Sequence, residues 1–463
     1  MENKIKDRRI KRNMLIILCS IKVLYIYLNV LMLPEYWSLF PFDRNINLSF
    51  VIIEFVFFFI GLRIFLSFYK QGNPISFLST ILICLYFIPN NSCMTLSGYD
   101  FVYYLLVNSF CFILFFLLGL LSKHIEKKKY ISNSLFENSA TLRNTFRFIT
   151  ILTCFLTIGY VYLIGGGINI SKIVQEDTYD VRAQLADFYM QNTDGLLAYI
   201  MLIWTAFYTI VLILGLYLAL VYKHYLDVIF ILFTYLALYT LSMEKSLLMK
   251  PIIAIFVSII ARKRKLIYSN ETFTLGYVGL MIISWVEYLF REESVIYTVL
   301  IRRVAYMPAY LTHVFYDFFD THEKYWFTRD FFQLEKLVRT VYPGHYTSTI
   351  VQTISEEIYD GGIPSPNNGM FAEAYAQAGV WGIFIIPPLI CIAFKYLYKC
   401  TKNFGVGASM VVLAQFALSL ISVQLLSPRN VVQILIFIIL TMLLNAFMSR
   451  RLRAKVFNRH SRL

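Results

Sequence analysis

Residues Gly195 to Val221 read GLLAYIMLIWTAFYTIVLILGLYLALV, without one charged side chain. A helix rising 1.5 Å per residue needs about 20 such residues to cross the hydrocarbon core of a bilayer, so this stretch reads as a membrane-spanning helix. Only Tyr222, Lys223 and His224 separate it from the next apolar run, 225–242, so the chain turns and crosses straight back. Working outward with the same ruler gives twelve candidate spans: 13–33, 48–68, 75–95, 101–121, 146–165, 195–221, 225–242, 247–261, 273–290, 370–394, 405–425 and 430–449. The stretch 75–95 is the most polar and contains Pro89, while 247–261 is the shortest. The first span is long and lacks a small-residue cleavage site behind it, which predicts an uncleaved anchor.

Whole-chain composition agrees. Of 463 residues 58% are hydrophobic and 15% charged, against about 25% charged in a soluble domain. Mean hydropathy is +0.63, which excludes disordered and collagen-like classes. The seven cysteines, Cys19, Cys84, Cys93, Cys111, Cys154, Cys391 and Cys400, show no CxxC spacing and mostly lie in or beside apolar runs, as small buried hydrophobes do.

The net charge of +14 is a topology signal and not a nucleic-acid footprint. Lys and Arg collect before the first span (Lys4, Lys6, Arg8, Arg9, Lys11, Arg12), in the connections holding Lys70, Lys123 to Arg143, Lys223, Arg262 to Lys265 and Lys395 to Lys402, and in the tail from Arg450. The positive-inside rule places all of these, and both termini, in the cytoplasm. Acidic residues fall mainly in the opposite loops.

Every cytoplasmic connection is short. Outside, 166–194 form a polar loop and 291–369 form one far longer than a connection requires, rich in Tyr, Phe and Ile. The predicted fold is therefore an all-α, polytopic membrane helical bundle of about twelve spans with a large folded external loop between spans 9 and 10. Its divisions are 1–290 (nine spans, with loop 166–194), 291–369 (the large loop) and 370–463 (three spans and a basic tail). There is no GxxxxGK[ST] phosphate loop, Rossmann glycine fingerprint or HExxH helix, and no cytoplasmic segment large enough for a nucleotide-binding domain. An enzyme built this way takes its substrates from the membrane or the outer side.

Ionisable residues near membrane depth are functional candidates by default. On the outer half they are Arg182 in TYDVRAQ, Lys245 in SMEKS, Arg291 in FREES, Arg302 and Arg303 in LIRRVAY, and Arg429 in LSPRNV. A guanidinium fork matches phosphate oxygens, so arginines converging from separate loops suit a diphosphate headgroup. Glu287, four residues before Arg291, is also placed to pair with it locally.

The run GGIPSPNNGMFAEAYAQAGVWGIFIIPPL leads from the large loop into the tenth span. Pro364 and Pro366 hold the approach extended and the helix begins near Gly369, which puts Glu373 by its first turn, where the dipole favours an anion. Ala372, Ala374, Ala376, Ala378, Gly379 and Gly382 permit close backbone approach, and Pro387 with Pro388 predicts a kink. His345 in PGHYTST is a second candidate for acid–base work. His313 and Asp317 share a helix face but lack a third ligand, so no metal site is predicted.

The segment Gly369-Met370-Phe371-Ala372-Glu373-Ala374-Tyr375-Ala376-Gln377-Ala378-Gly379-Val380-Trp381-Gly382, with TYDVR, Lys245 and the late external loop, resembles the Wzy-type O-antigen and capsular polysaccharide polymerases. The described arginine-then-glycine spacing of ten is not found after Arg182, Arg329 or Arg339. The resemblance implies a GT-C-like, metal-independent glycosyltransferase without cofactor in the bacterial cytoplasmic membrane, both termini cytoplasmic. At the outer face it would join undecaprenyl-diphosphate-linked oligosaccharide repeat units into lipopolysaccharide O-antigen or capsule. Glu373 or His345 would then be catalytic, and Arg182, Lys245, Arg291, Arg302, Arg303 and Arg429 would hold the diphosphate. Its partners would be the lipid-linked oligosaccharide and membrane lipid, with a chain-length regulator and a flippase. An O-antigen ligase and a lipid-linked oligosaccharide flippase are the alternatives.

Overall fold

The computed structural model describes residues 2–36, 48–97, 100–126, 140–165, 196–242, 246–263, 266–326, 350–359, 369–422, 425, 430–439 and 442. Among the described residues the chain is all helix and short turns, with no strand. Among the described residues eight helices are long and apolar enough to cross a membrane: Asp7–Met32, Leu48–Phe68, Pro74–Asn91, Phe101–Ile125, Arg143–Leu163, Ile203–Val221, Leu266–Arg291 and Gly369–Thr401. Tyr225–Leu241, Val406–Ile421 and Asn430–Ile439 are apolar but shorter. The protein is thus a multi-pass membrane protein built as a helical bundle. Side chains such as Leu163 (83% exposed) and Phe290 (84%) point outward, which only a lipid surround makes favourable for so many large apolar groups.

The helices group into two compact units. The first comprises Met1–Lys129, Ile267–Ile392 and Phe416–Ser427; the second comprises Tyr130–Leu266, Ala393–Gln415 and Pro428–Leu463. In the first unit α1 (Glu2–Tyr36) packs on the helix Ser269–Arg291, and α2 (Leu48–Phe68) packs on the helix Phe101–Glu126. Between them runs Pro74–Asn91, whose apolar window is 100% buried. That burial explains its composition: a span surrounded by protein and not by lipid can carry Ser76, Ser79, Thr80, Asn90 and Asn91, provided each is bonded. Ser79 and Thr80 donate to the carbonyls one turn back, and Asn73 caps the helix start through the Ile75 and Ser76 N–H groups. Its α-helix passes through a π-helical turn at Ile83–Phe87, before Pro89.

The described part of the long loop is helical. A π-helical segment, Tyr297–Tyr306, runs directly into the helix Met307–Thr321, and a further helix covers Ile350–Tyr359. Met307–Thr321 packs on the buried helix Gly369–Ala378, so this part of the loop belongs to the first unit.

In the second unit the helices Ala140–Gly165, Leu196–Val221, Tyr225–Ser242 and Ser246–Arg262 pack on one another. Arg147, which falls within the predicted span 146–165, has its guanidinium forked onto Asp227, with Nη2 2.9 Å from Oδ1 and Nε on Oδ2.

Candidate functional site

The entry motif lies at the centre of the first unit. The helix begins at Gly369, where the proline-rich approach predicts it, and every residue from Gly369 to Ala378 is buried. Gly369 adopts φ +61°, and a Cβ there would sit 2.9 Å from the Ile421 carbonyl oxygen, so only glycine fits both the turn and the approach. The Phe371 N–H, unpaired within the first turn of its own helix, donates to the Tyr86 hydroxyl at 2.9 Å. Glu373 is 0% exposed, and its Oε2 accepts the Leu425 N–H at 2.6 Å. A buried carboxylate so engaged ties the start of this helix to Leu425, which stands four residues before Arg429 in the chain.

The expected single helix over 370–394 is broken. Ala378 is extended in φ, Gly379 takes φ +56°, and a short 3-10 turn Gly379–Trp381 precedes the helix Gly382–Thr401. The break leaves the carbonyls of Ala376 and Gln377 open. Tyr325 and Trp326 fill them with their N–H groups at 3.0 and 2.7 Å, docking the chain after Met307–Thr321 onto the helix end.

Beside this motif lies a cluster of rings and carboxylates from three elements. His313 Nδ1 is 3.1 Å from Asp317 Oδ2. The Tyr103 ring stands edge-on to His313 at 4.7 Å and reaches Tyr316 at 5.1 Å. Tyr316 lies 4.7 Å from Tyr375, whose hydroxyl donates to Asp320 Oδ1 at 2.7 Å, and the Lys324 ammonium sits over the Tyr375 ring at 5.5 Å. Burial, with Asp320 and Asp100 nearby, raises the Asp317 carboxyl to about 6; burial lowers the His313 imidazole to about 4. At neutral pH the imidazole is therefore uncharged, and its Nδ1–H faces an ionised carboxylate. Tyr103, Tyr316 and Tyr375 are buried against one another, so the cluster presents outward the carboxylates of Asp317 and Asp320 beside His313, groups that can accept the hydroxyl protons of a sugar.

The structure divides the predicted arginines. Arg302 and Arg303 are half-buried on the π-helical segment Tyr297–Tyr306, which packs on the same π-helical turn, Ile83–Phe87, that carries Tyr86. Arg291 is 72% exposed and stands 4.0 Å from Glu287, one turn back. Glu287 itself accepts from Ser294 Oγ and the Ile296 N–H, capping the next segment. Arg182, Lys245, His345 and Arg429 lie outside the described residues. Among the described residues no group of three or more His, Cys, Asp and Glu side chains is placed to hold a metal ion.

The sequence reading placed His313 and Asp317 on one helix face but missed Tyr316 and Asp320, which the i, i+3, i+4, i+7 spacing puts on the same face. The contributions of Tyr103 and Tyr375, from distant segments, were not legible.

A second buried polar cluster joins the transmembrane helices of this unit. Lys22 and Glu54 are both 0% exposed, with Nζ 3.5 Å from Oε2. Lys22 also reaches Asn91 Oδ1 at 2.6 Å and Ser92 Oγ at 3.3 Å, and sits over the Phe55 and Phe58 rings. Glu54 Oε1 accepts the Thr95 N–H, and Asn91 donates onward to Tyr104 and Asn108. With its ammonium and carboxylate both bonded and walled by rings, the cluster is a clamp between helices.

No protein-family model, no curated protein and no solved structure matches the chain.

Proposed function

We propose that this protein is a membrane glycosyltransferase that joins lipid-diphosphate-linked oligosaccharide repeat units into a surface polysaccharide. The observation that carries the reading is the ring-and-carboxylate cluster around Tyr316 and Tyr375, set against the buried helix that bears the polymerase-like motif. Its outward-facing carboxylates, Asp317 and Asp320, braced by the buried rings, suit the hydroxyls of a glycan, and the basic pair Arg302 and Arg303 on the neighbouring segment suits a diphosphate.

The reaction is displacement at the sugar carbon bearing the diphosphate. The acceptor oxygen bonds to that carbon, the carbon–oxygen bond to phosphate breaks, and the lipid diphosphate departs with the electron pair. The acceptor hydroxyl proton passes to a base. We assign Glu373 to positioning, because its carboxylate is enclosed and holds the Leu425 N–H. The base is His313, neutral and oriented by Asp317, or His345. Arg302 and Arg303 stabilise the charge growing on the leaving group, with Arg182, Lys245 and Arg429 as further candidates, while Arg291, committed towards Glu287, is the weakest of the set.

Turnover of synthetic lipid-linked repeat units by the purified protein tests this. Arg302→Ala and Arg303→Ala are expected to lower turnover by about 100-fold, as loss of one charge-stabilising donor does elsewhere. Unchanged rates in both variants would remove them from the mechanism. A second reading, a flippase for the same lipid-linked glycan, is favoured by the buried Lys22–Glu54 pair at membrane depth. Gel profiles of surface polysaccharide after deletion separate the classes. Retained single units without long chains mark a polymerase; loss of all units marks a ligase or flippase.

A further inference from the structure

The break at Gly379 leaves two large rings in the open. Trp381, the last residue of the 3-10 turn, is 68% exposed, and Trp326, whose N–H docks on the Gln377 carbonyl, is 58% exposed. Trp326 stands at φ 49°, in the left-handed region that a bulky residue rarely adopts, so the docking contact holds it there against its own backbone preference.

What meets these rings follows from the helix that comes next. From Trp381 the exposed side chains Phe384, Ile385 and Ile392 continue at i+3, i+4 and i+11, along one helical stripe that reaches Lys395 and Tyr396. Such a stripe is favourable against hydrocarbon and not against water. The helix Gly382–Thr401 has 20 residues, about 30 Å at 1.5 Å each, which is the thickness of the hydrocarbon core. Exposed Lys399 lies in its last turn, so Trp381, directly before its first turn, falls at the opposite headgroup layer.

A second helix gives the same depth. On Phe101–Glu126, one end carries the exposed Lys123, and Tyr103 precedes it by about 30 Å of helix. Tyr103 reaches His313 and Tyr316, and Tyr316 reaches Tyr375, in the helix that ends at the break. Two helices, each measured from its own basic end, thus put the carboxylate cluster and the break at a bilayer surface.

Tryptophan concentrates where lipid meets water, because its ring is apolar and its Nε1–H needs an acceptor that ester and phosphate oxygens supply. We propose that Trp326 and Trp381 form an anchor seated on phospholipid in the headgroup layer, fixing the broken helix and the adjoining carboxylates Asp317 and Asp320 at the membrane surface. The anchor stands independently of the glycan chemistry. Where that chemistry holds, it sets the carboxylates at the depth at which a lipid diphosphate meets water.

Fluorescence of the full chain in phosphatidylcholine vesicles tests the anchor. Replacing Trp37, Trp204, Trp285 and one of the pair by Phe leaves a single indole in each of two variants. Bromine near the headgroup end of the acyl chains should remove more of its emission than bromine near the chain methyl, and aqueous iodide should remove little. Trp326→Phe and Trp381→Phe in the otherwise intact chain give the same reading by difference, without the fourfold replacement. Quenching by iodide and not by bromolipid overturns the proposal, as does strongest quenching by the deep bromine. Iodide quenching relieved by a free repeat-unit oligosaccharide also overturns it, by showing a glycan platform instead of a lipid anchor.

Discussion

Replacing Lys22 with Met is expected to destabilise the first unit by about 3–5 kcal/mol, the cost of leaving one partner of a buried ion pair uncompensated. The reason is local. Glu54 is 0% exposed, and in the wild type the Lys22 ammonium 3.5 Å away balances its charge. Without that cation the carboxylate is left with neutral donors such as the Thr95 N–H at 2.8 Å, and Asn91 Oδ1 and Ser92 Oγ lose the Lys22 ammonium as donor. Thermal unfolding of the detergent-purified protein reads the effect directly. The double variant Lys22→Met, Glu54→Gln removes both charges and should recover most of the loss. A single variant as stable as wild type would show that the pair does not clamp these helices. The same double variant also addresses function: a clamp tolerates neutral replacement with polysaccharide assembly intact, whereas a charge carrier in a flippase does not.

Gly382→Ala is the second large effect. A Cβ at this position falls inside the van der Waals envelope of the Ala374 carbonyl oxygen, with the Ala374 backbone carbon next nearest. A flexible side chain could turn aside, but a backbone carbonyl in a fully buried helix cannot. The 3-10 turn Gly379–Trp381 brings the two helix segments this close, so the added methyl must force them apart. Overpacking of this kind costs about 1–3 kcal/mol, and here it also displaces the helix that carries Glu373 and Tyr375. Falls in both melting temperature and turnover are expected. Gly279→Ala is the control: nothing lies within 4 Å of its added Cβ, and in a helix interior the change should be neutral or stabilising by up to about 1 kcal/mol. If the two variants melt alike, close approach at Gly382 is not what holds the junction.

These two sites show different degrees of legibility. The small residues around Gly382 signal close packing in one dimension, because alanine and glycine at short spacing have few other uses in an apolar helix. Lys22 and Glu54 stand out as charges within spans, yet nothing local says that they meet, being 32 residues apart on separate helices. Pro74–Asn91 is the instructive case. Its polar residues make it a weak span when hydropathy is the ruler, but burial inside the bundle turns the same polarity into satisfied hydrogen bonds. The break at Gly379 was hidden for a similar reason. Its freed carbonyls are filled by Tyr325 and Trp326, from a segment some fifty residues earlier whose docking no local pattern announces.

What the amino-acid order determined alone was the medium and the class: long uncharged apolar runs have no stable state in water, and in lipid the backbone must satisfy itself as helix. It also marked the helix start at Gly369, since prolines and a left-handed glycine act within a few residues of themselves. Tertiary structure decided which charges neutralise one another, that the Glu373 carboxylate is buried and holds the Leu425 N–H, and which rings gather beside His313 and Asp317. Those outcomes depend on groups brought together from distant segments, whose interaction free energies arise only once packing has excluded solvent and set the distances.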